Sequence, residues 1–188
     1  MLDMIINLTK TSFFAPRLAA ERLLALSLDR MTIFMFFLIT VCLSVVAIYL
    51  SGGPMVELEP GMPLVTSPIQ LAVMIFAATV LSTIGIQSVG RIAGGQGGFD
   101  QIMIVMAWQQ WLQFLMQCVM GILSVVLLPL AAVMQFVVLW YSFWILFNMV
   151  RVAHGFDGIL KSIFAVMVGS FVAVMALGML TMLFVGVS

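Results

Sequence analysis

QIMIVMAWQQWLQFLMQCVMGILSVVLLPLAAVMQFVVLWYSFWILFNMV, residues 101–150, contains no Asp, Glu, Lys, Arg or His. As one α-helix it would extend roughly 75 Å, against about 30 Å of bilayer hydrocarbon. The stretch therefore holds two membrane spans. Pro129 is the expected turn between them, because proline interrupts the helical hydrogen-bond ladder.

Outward from this stretch, segments 31–56, 60–90 and 162–188 are equally free of charged side chains. The reading is an all-α polytopic membrane bundle with five transmembrane helices, at 31–50, 68–90, 101–126, 130–150 and 159–186. Pro16, Pro54, Pro60, Pro63, Pro68 and Pro129 all fall at or outside these span ends. Ser67-Pro68 has the form of an N-cap followed by proline at the first helical position. Over the whole chain 64% of residues are hydrophobic and 7% charged, whereas a soluble domain carries about 25% charge. Seven basic residues balance seven acidic ones, which argues against a nucleic-acid partner. Cys42 and Cys118 fall within spans as small buried thiols and give no disulfide framework.

The basic residues set the orientation. Lys10, Arg17, Arg22 and Arg30 precede the first span, Arg91 follows the second, and Arg151 and Lys161 flank the turn between the fourth and fifth. With five spans all seven lie on one side, opposite Glu57 and Glu59, so the positive-inside rule places the N-terminus in the cytoplasm and the C-terminus outside. Residues 1–30 form a cytoplasmic segment before a five-span domain at 31–188. Within that segment 16–29 reads as one helix, with Leu18, Leu23, Leu24, Leu26 and Leu28 beside Arg17, Glu21 and Arg22. It is either an interfacial helix or a cytosolic extension of the first span. With about 30 residues ahead of the first span, no sizeable cytosolic domain is expected.

Two turns on the basic side share wording. One reads Arg91-Ile92-Ala93-Gly94-Gly95-Gln96-Gly97-Gly98-Phe99-Asp100, the other Arg151-Val152-Ala153-His154-Gly155-Phe156-Asp157. Each has an arginine at a span end and then Gly-Phe-Asp, as a duplication of helix pairs would give. Asp100 and Asp157 are placed to N-cap the following spans, and Arg91 and Arg151 suit the negative C-terminal ends of the preceding ones. The glycine run lacks the Gly-Lys-Ser/Thr ending of a nucleotide loop, and no strand precedes it. It reads as a tight turn, with a lipid phosphate between Arg91 and Arg151 as the sharper alternative.

Inside the membrane, Gln110, Gln113 and Gln117 share a helix face, beside Gln109. Lipid offers amides no partners, so this face should meet other helices or a cavity. Trp108, Trp111, Trp140 and Trp144 fall at one level, about 9–16 Å above the basic-side helix ends, as a packed layer or an interfacial belt. Ser162, Ala165, Gly169, Ala173 and Ala176 form a small-residue seam suited to a close helix contact. The seventeen methionines, among them Met175, Met179 and Met182, read as adaptable apolar filler rather than a Cu(I) path. No ionisable residue lies within a span interior, and His154, the single histidine, has neither a nucleophile nor a zinc set around it in sequence. No enzyme activity, cofactor or metal is expected.

The segment Gly90-Arg91 to Gln101, with Val152-Ala153-His154-Gly155-Phe156, resembles the Yip family of multispan membrane proteins, named for interacting with Ypt/Rab GTPases. The family pattern is a glycine-rich turn with a following phenylalanine, and then an aromatic in span three, here Trp108. A tryptophan-containing span four follows, here Trp140 and Trp144, with a His-Gly-Phe-like turn before the last span. The likeness covers roughly 60–188 and implies five spans with a cytoplasmic N-terminus. The chain lacks the acidic Asp-Leu-Tyr-Gly-Pro-type segment of eukaryotic members and has Gln109-Gln110-Trp111 where they have a Gly-Tyr pattern. It looks like the compact bacterial branch, in the inner membrane, where a Rab-type GTPase is not the expected partner. The expected role is a non-enzymatic scaffold or accessory factor, with a membrane-protein partner or a second copy of itself. The alternative is a small-solute or metal transporter using the glutamine face.

Overall fold

The computed structural model describes residues 2–51, 57–59, 62–63, 67–126 and 128–185. Seven helices appear among them: α1 (Leu2–Phe14), α2 (Pro16–Ala25), α3 (Arg30–Leu50), α4 (Pro68–Ile92), α5 (Phe99–Val126), α6 (Leu128–His154) and α7 (Ile159–Val185). Between α3 and α4 lies a short antiparallel strand pair, β1 (Glu57–Glu59) and β2 (Met62–Pro63), the one departure from an all-helical chain among the described residues. Five helices, α3 to α7, are long and apolar enough to cross a bilayer. The protein is an integral membrane protein, because such surfaces have no stable home in water.

Local chemistry sets the span ends. Asp29 caps α3, taking the Thr32 backbone N–H at 3.3 Å and its hydroxyl at 2.5 Å. These bonds favour the charged carboxylate and hold its pKa below the usual aspartate value. Ser67 and Gln70 close a reciprocal capping box ahead of Pro68 at the start of α4, satisfying two donors that a helix start leaves free. Pro129 differs from expectation. It occupies the second position of α6 rather than a turn, since the first turn of a helix needs no N–H from that residue. Position 127 and the expected span end at 186 lie outside the described residues.

Residues 1–30 also differ from expectation. The helix read at 16–29 stops at Ala25, and a separate helix, α1, precedes it. Ser27 takes a positive φ of 44° in the link to Asp29. The two short helices pack on each other and α2 lies along α6. Ala19, Ala20 and Leu23 are buried on the bundle while Leu18, Leu26 and Leu28 are exposed. The segment is thus a helical hairpin docked on the spans, with only part of its apolar surface left for the interface. Polar bonds pin it: the Trp108 indole N–H donates to Ser12 Oγ at 2.9 Å, that of Trp111 to Thr9 Oγ1 at 3.1 Å, and the Tyr141 hydroxyl to the Phe13 carbonyl. The tryptophans form no single packed layer. Trp108 is buried in the core, Trp111 is half-buried, and Trp140 and Trp144 face outward.

The tightest contact joins α4 and α7. A Cβ built on Gly85 would lie 2.3 Å from the Gly169 carbonyl oxygen, and one on Gly169 would lie 2.5 Å from the Ile86 nitrogen. Without side chains at either position the two backbones touch, the geometry by which small residues gain dispersion contact in lipid. Ser162, Ala165 and Ala173 on α7 are buried, and Ala176 is half-buried. Cys42 and Cys118, expected to be buried, are exposed on the bundle surface. Apolar lipid tails accept a thiol about as well as a core does, so span position alone does not bury it.

Gly85→Ala and Gly169→Ala should each force α4 and α7 apart and destabilise the folded chain by about 1–3 kcal/mol, the usual range for overpacking. Thermal unfolding in detergent checks this. Gly178→Ala, whose added Cβ meets no described atom within 4 Å, should not lower the transition.

Candidate functional site

At the basic end of the bundle the two turns come together around His154. The helix α4 carries Gly90 and Arg91 in its last turn, and α6 ends on His154 itself. The His154 side chain fills space that glycines leave. An added Cβ would lie 2.1 Å from its Nε2 at Gly90, 2.6 Å from its Cδ2 at Gly95, and 3.1 Å from the same atom at Gly97. On the open side the imidazole stacks on Phe156, ring centroids 5.0 Å apart and nearly parallel. The backbone closes the clasp, since Gln96 N–H donates to the His154 carbonyl at 3.0 Å. His154 and Phe156 are both buried. Nδ1 lies 3.3 Å from the Val150 carbonyl, whereas Nε2 has no hydrogen-bond partner among the described residues.

Glycine is required at two further points for backbone reasons. Gly94 and Gly155 take φ of 88° and 67°, a region that costs a side-chain-bearing residue about 1–2 kcal/mol. Gly155 ends α6 as a left-handed cap, with its N–H on the Val152 carbonyl and that of Phe156 on the Arg151 carbonyl, the pattern that satisfies the last carbonyls of a helix.

The shared Gly-Phe-Asp wording does not mark equivalent positions. In the first turn Phe99 and Asp100 already belong to α5, and Phe99 is 39% exposed. In the second turn all three residues precede α7, and Phe156 is tucked under His154. Neither aspartate caps its span. Asp100 sits in the first turn of α5 and pairs with Arg30 Nε at 2.9 Å, and the Gly98 N–H is taken by Gln101 Oε1 instead. Asp157 lies two residues before α7, and its backbone carbonyl accepts from Arg151. The guanidinium of Arg151 also donates Nε–H to the Phe156 carbonyl at 3.1 Å. Part of its donor set is thus held by its own turn. Arg91 is exposed at the end of α4, next to Ile92, which is 83% exposed.

The intramembrane amides divide by helix face. Gln110 Nε2 donates to Thr79 Oγ1 on α4 at 2.9 Å, while Gln109 Nε2 donates to the Ser142 carbonyl on α6 at 3.2 Å. A cleft of about 130 Å³ between α5 and α6 is lined by Gln109, Gln110, Gln113 and Ser142 among apolar neighbours. Gln113 is exposed, and Gln117 is half-buried. Gln109, left off the expected glutamine face, is the most buried of the four, and neither its Oε1 nor that of Gln117 has a partner among the described residues. Spacing along α5 could not reveal this, because α5 is covered by α3, α4 and α6 together. Among the described residues no group of three His, Cys, Asp or Glu is placed to hold a metal.

Gly90 and the Gln96 bond to His154 were outside the expected candidate residues. The five-residue spacing of Gly85, Gly90 and Gly95 was their available signal, and it falls outside the helical i, i+3, i+4 rule.

Five long apolar helices with charge confined to their ends and turns define a polytopic helical membrane protein. Residues 10–185 match the Yip1 domain, and the chain belongs to the Yip family. No curated protein and no solved structure matches it.

Removing the imidazole with His154→Ala empties a space that four neighbouring residues are shaped around. The expected loss is on the order of 2 kcal/mol, as for a large-to-small core substitution. Thermal unfolding should show it, together with faster protease cleavage within 93–98. Gly90→Ala should show the same cleavage pattern with His154 still present.

Proposed function

We propose that the protein works as a non-enzymatic scaffold or accessory factor of the Yip type, in the cytoplasmic membrane of a bacterium. Its working surface is the basic end of the bundle, turned to the cytoplasm by the positive-inside rule. One observation carries this reading. The His154 clasp ties the 93–98 turn to the end of α6, and on this anchored base Arg91, Ile92, Gln96 and Phe99 stand exposed. A cation flanked by apolar side chains on a fixed backbone suits a protein partner, since arginine and aromatic anchors carry much of the binding energy in interfaces. Asp157 and Gly158 are exposed in the turn after α6, while His154, Gly155 and Phe156 set the backbone rather than touch the partner. The partner is another membrane protein or a second copy of this chain. A Rab-type GTPase is not part of the reading.

Extraction in native lipid discs followed by mass spectrometry tests the proposal. A stoichiometric protein should be retained with the natural chain and reduced about tenfold, the equivalent of 1.4 kcal/mol, by Arg91→Ala with Ile92→Ala. Retention unchanged by the double variant removes this surface from the function.

A second reading rests on the cleft at Gln109, Gln110, Gln113 and Ser142. A buried amide oxygen without a partner costs about 1–3 kcal/mol, and a polar solute or water in the cleft would recover it. A Gln113→Cys variant, with Cys42 and Cys118 replaced by serine, should react with a membrane-impermeant thiol reagent if the cleft is a solute path. An unreactive cysteine rejects the transporter reading and leaves the amides as packing groups.

A further inference from the structure

A larger groove lies between α3, α4 and the start of α5, and of the proposed partner surface it shares only Phe99. It encloses about 550 Å³ and is apolar along its length, with Ile33, Phe34, Phe76, Val80 and Met103 among its walls. At its mouth stand Arg30 and Asp100. Three observations say what occupies it. First, α3 has 21 residues and so spans roughly 31 Å, the thickness of the hydrocarbon layer. Arg30, its first residue, therefore lies at the headgroup level, and the groove walls lie in the acyl region, where lipid tails are the molecules at hand.

Second, the groove is held open by stiff packing. Phe76 stacks on Phe37 at 5.4 Å and meets Phe34 edge to face at 6.0 Å. Aromatic rings fixed by such neighbours do not collapse into the space beside them.

Third, the charge at the mouth is a matched pair with capacity to spare. Arg30 binds Asp100 Oδ2 through Nε alone, with 84% of its side chain exposed, and Asp100 is 42% exposed. Both Nη groups of Arg30 and Oδ1 of Asp100 have no partner among the described residues. The nearby carboxylate of Asp29 is committed to Thr32 through both oxygens.

We propose that this groove is a lipid site, taking one acyl chain of a zwitterionic aminophospholipid whose phosphate rests on Arg30 Nη and whose ammonium rests on Asp100 Oδ1. The headgroup chemistry follows from the pair. A guanidinium fork fits phosphate oxygens, and a primary ammonium has three donors for a carboxylate. An anionic headgroup would bring net negative charge against Asp100. A trimethylated headgroup has no N–H to give it.

The test is native mass spectrometry of the full chain in detergent, titrated separately with phosphatidylethanolamine, phosphatidylcholine and phosphatidylglycerol. Phosphatidylethanolamine should bind about tenfold more tightly than either competitor, and Arg30→Gln should remove that preference. Because Arg30 also joins α3 to α5, a second variant leaves the ion pair intact. Val80→Trp fills the groove and should release the bound lipid, with helicity unchanged by circular dichroism. Equal binding of the three lipids, preference for phosphatidylglycerol, or full lipid retention by Val80→Trp would each overturn the assignment.

Discussion

The contact of Gly85 with Gly169 is the constraint on which the basic end of the bundle depends. In lipid, helices gain no hydrophobic advantage by associating, so their association rests on packing. Two glycines allow α4 and α7 to meet backbone to backbone, and that closeness fixes the position of everything below it on α4. Gly90 lies five residues further along the same helix, where it receives the His154 ring at the end of α6. The turn after α4 then has one place to go, across the imidazole, and the Gln96 bond to the His154 carbonyl holds it there. Close packing in the membrane is thereby converted into a defined backbone outside it.

The five spans were legible in the sequence, with ends that fall within about four residues of those observed. Charge-free stretches and Ser67-Pro68 are local signals, and local signals fix helix ends; Asp29, read as the last residue of a helix, instead caps the next one. Pairings between helices were less legible. The repeated Gly-Phe-Asp suggested two equivalent turns, yet Phe99 begins a helix while Phe156 lies under a histidine. The difference arises from what packs against each turn, which three letters do not encode. The same holds for Asp100, whose carboxylate meets an arginine seventy residues away instead of capping its own helix. Gln109 was passed over because the one-helix view asks which amides share a face, while burial depends on which neighbours cover that face.

The N-terminal hairpin shows how polar groups at membrane level are settled without charge. Indole N–H groups at such depth commonly seek the headgroup region. Here those of Trp108 and Trp111 find hydroxyls on α1. Trp140 and Trp144, with no such partners among the described residues, face outward. The four tryptophans thus serve two purposes, and what separates them is whether a hydroxyl of α1 lies within reach of the indole.

The anchoring of that hairpin also sets an order of events during synthesis. Ser12 and Thr9 are separated from their indole donors by 96 and 102 residues, and Phe13 from Tyr141 by 128. At about 5–20 residues per second, α1 leaves the ribosome on the order of 5–25 s before the surface that holds it exists. During that interval the hairpin has no bundle to cover Leu8, Ala19, Ala20 and Leu23, and the headgroup region is the nearest shelter for an amphipathic segment. Docking of the first two helices therefore waits on the arrival of α5 and α6, which carry the groups that hold them.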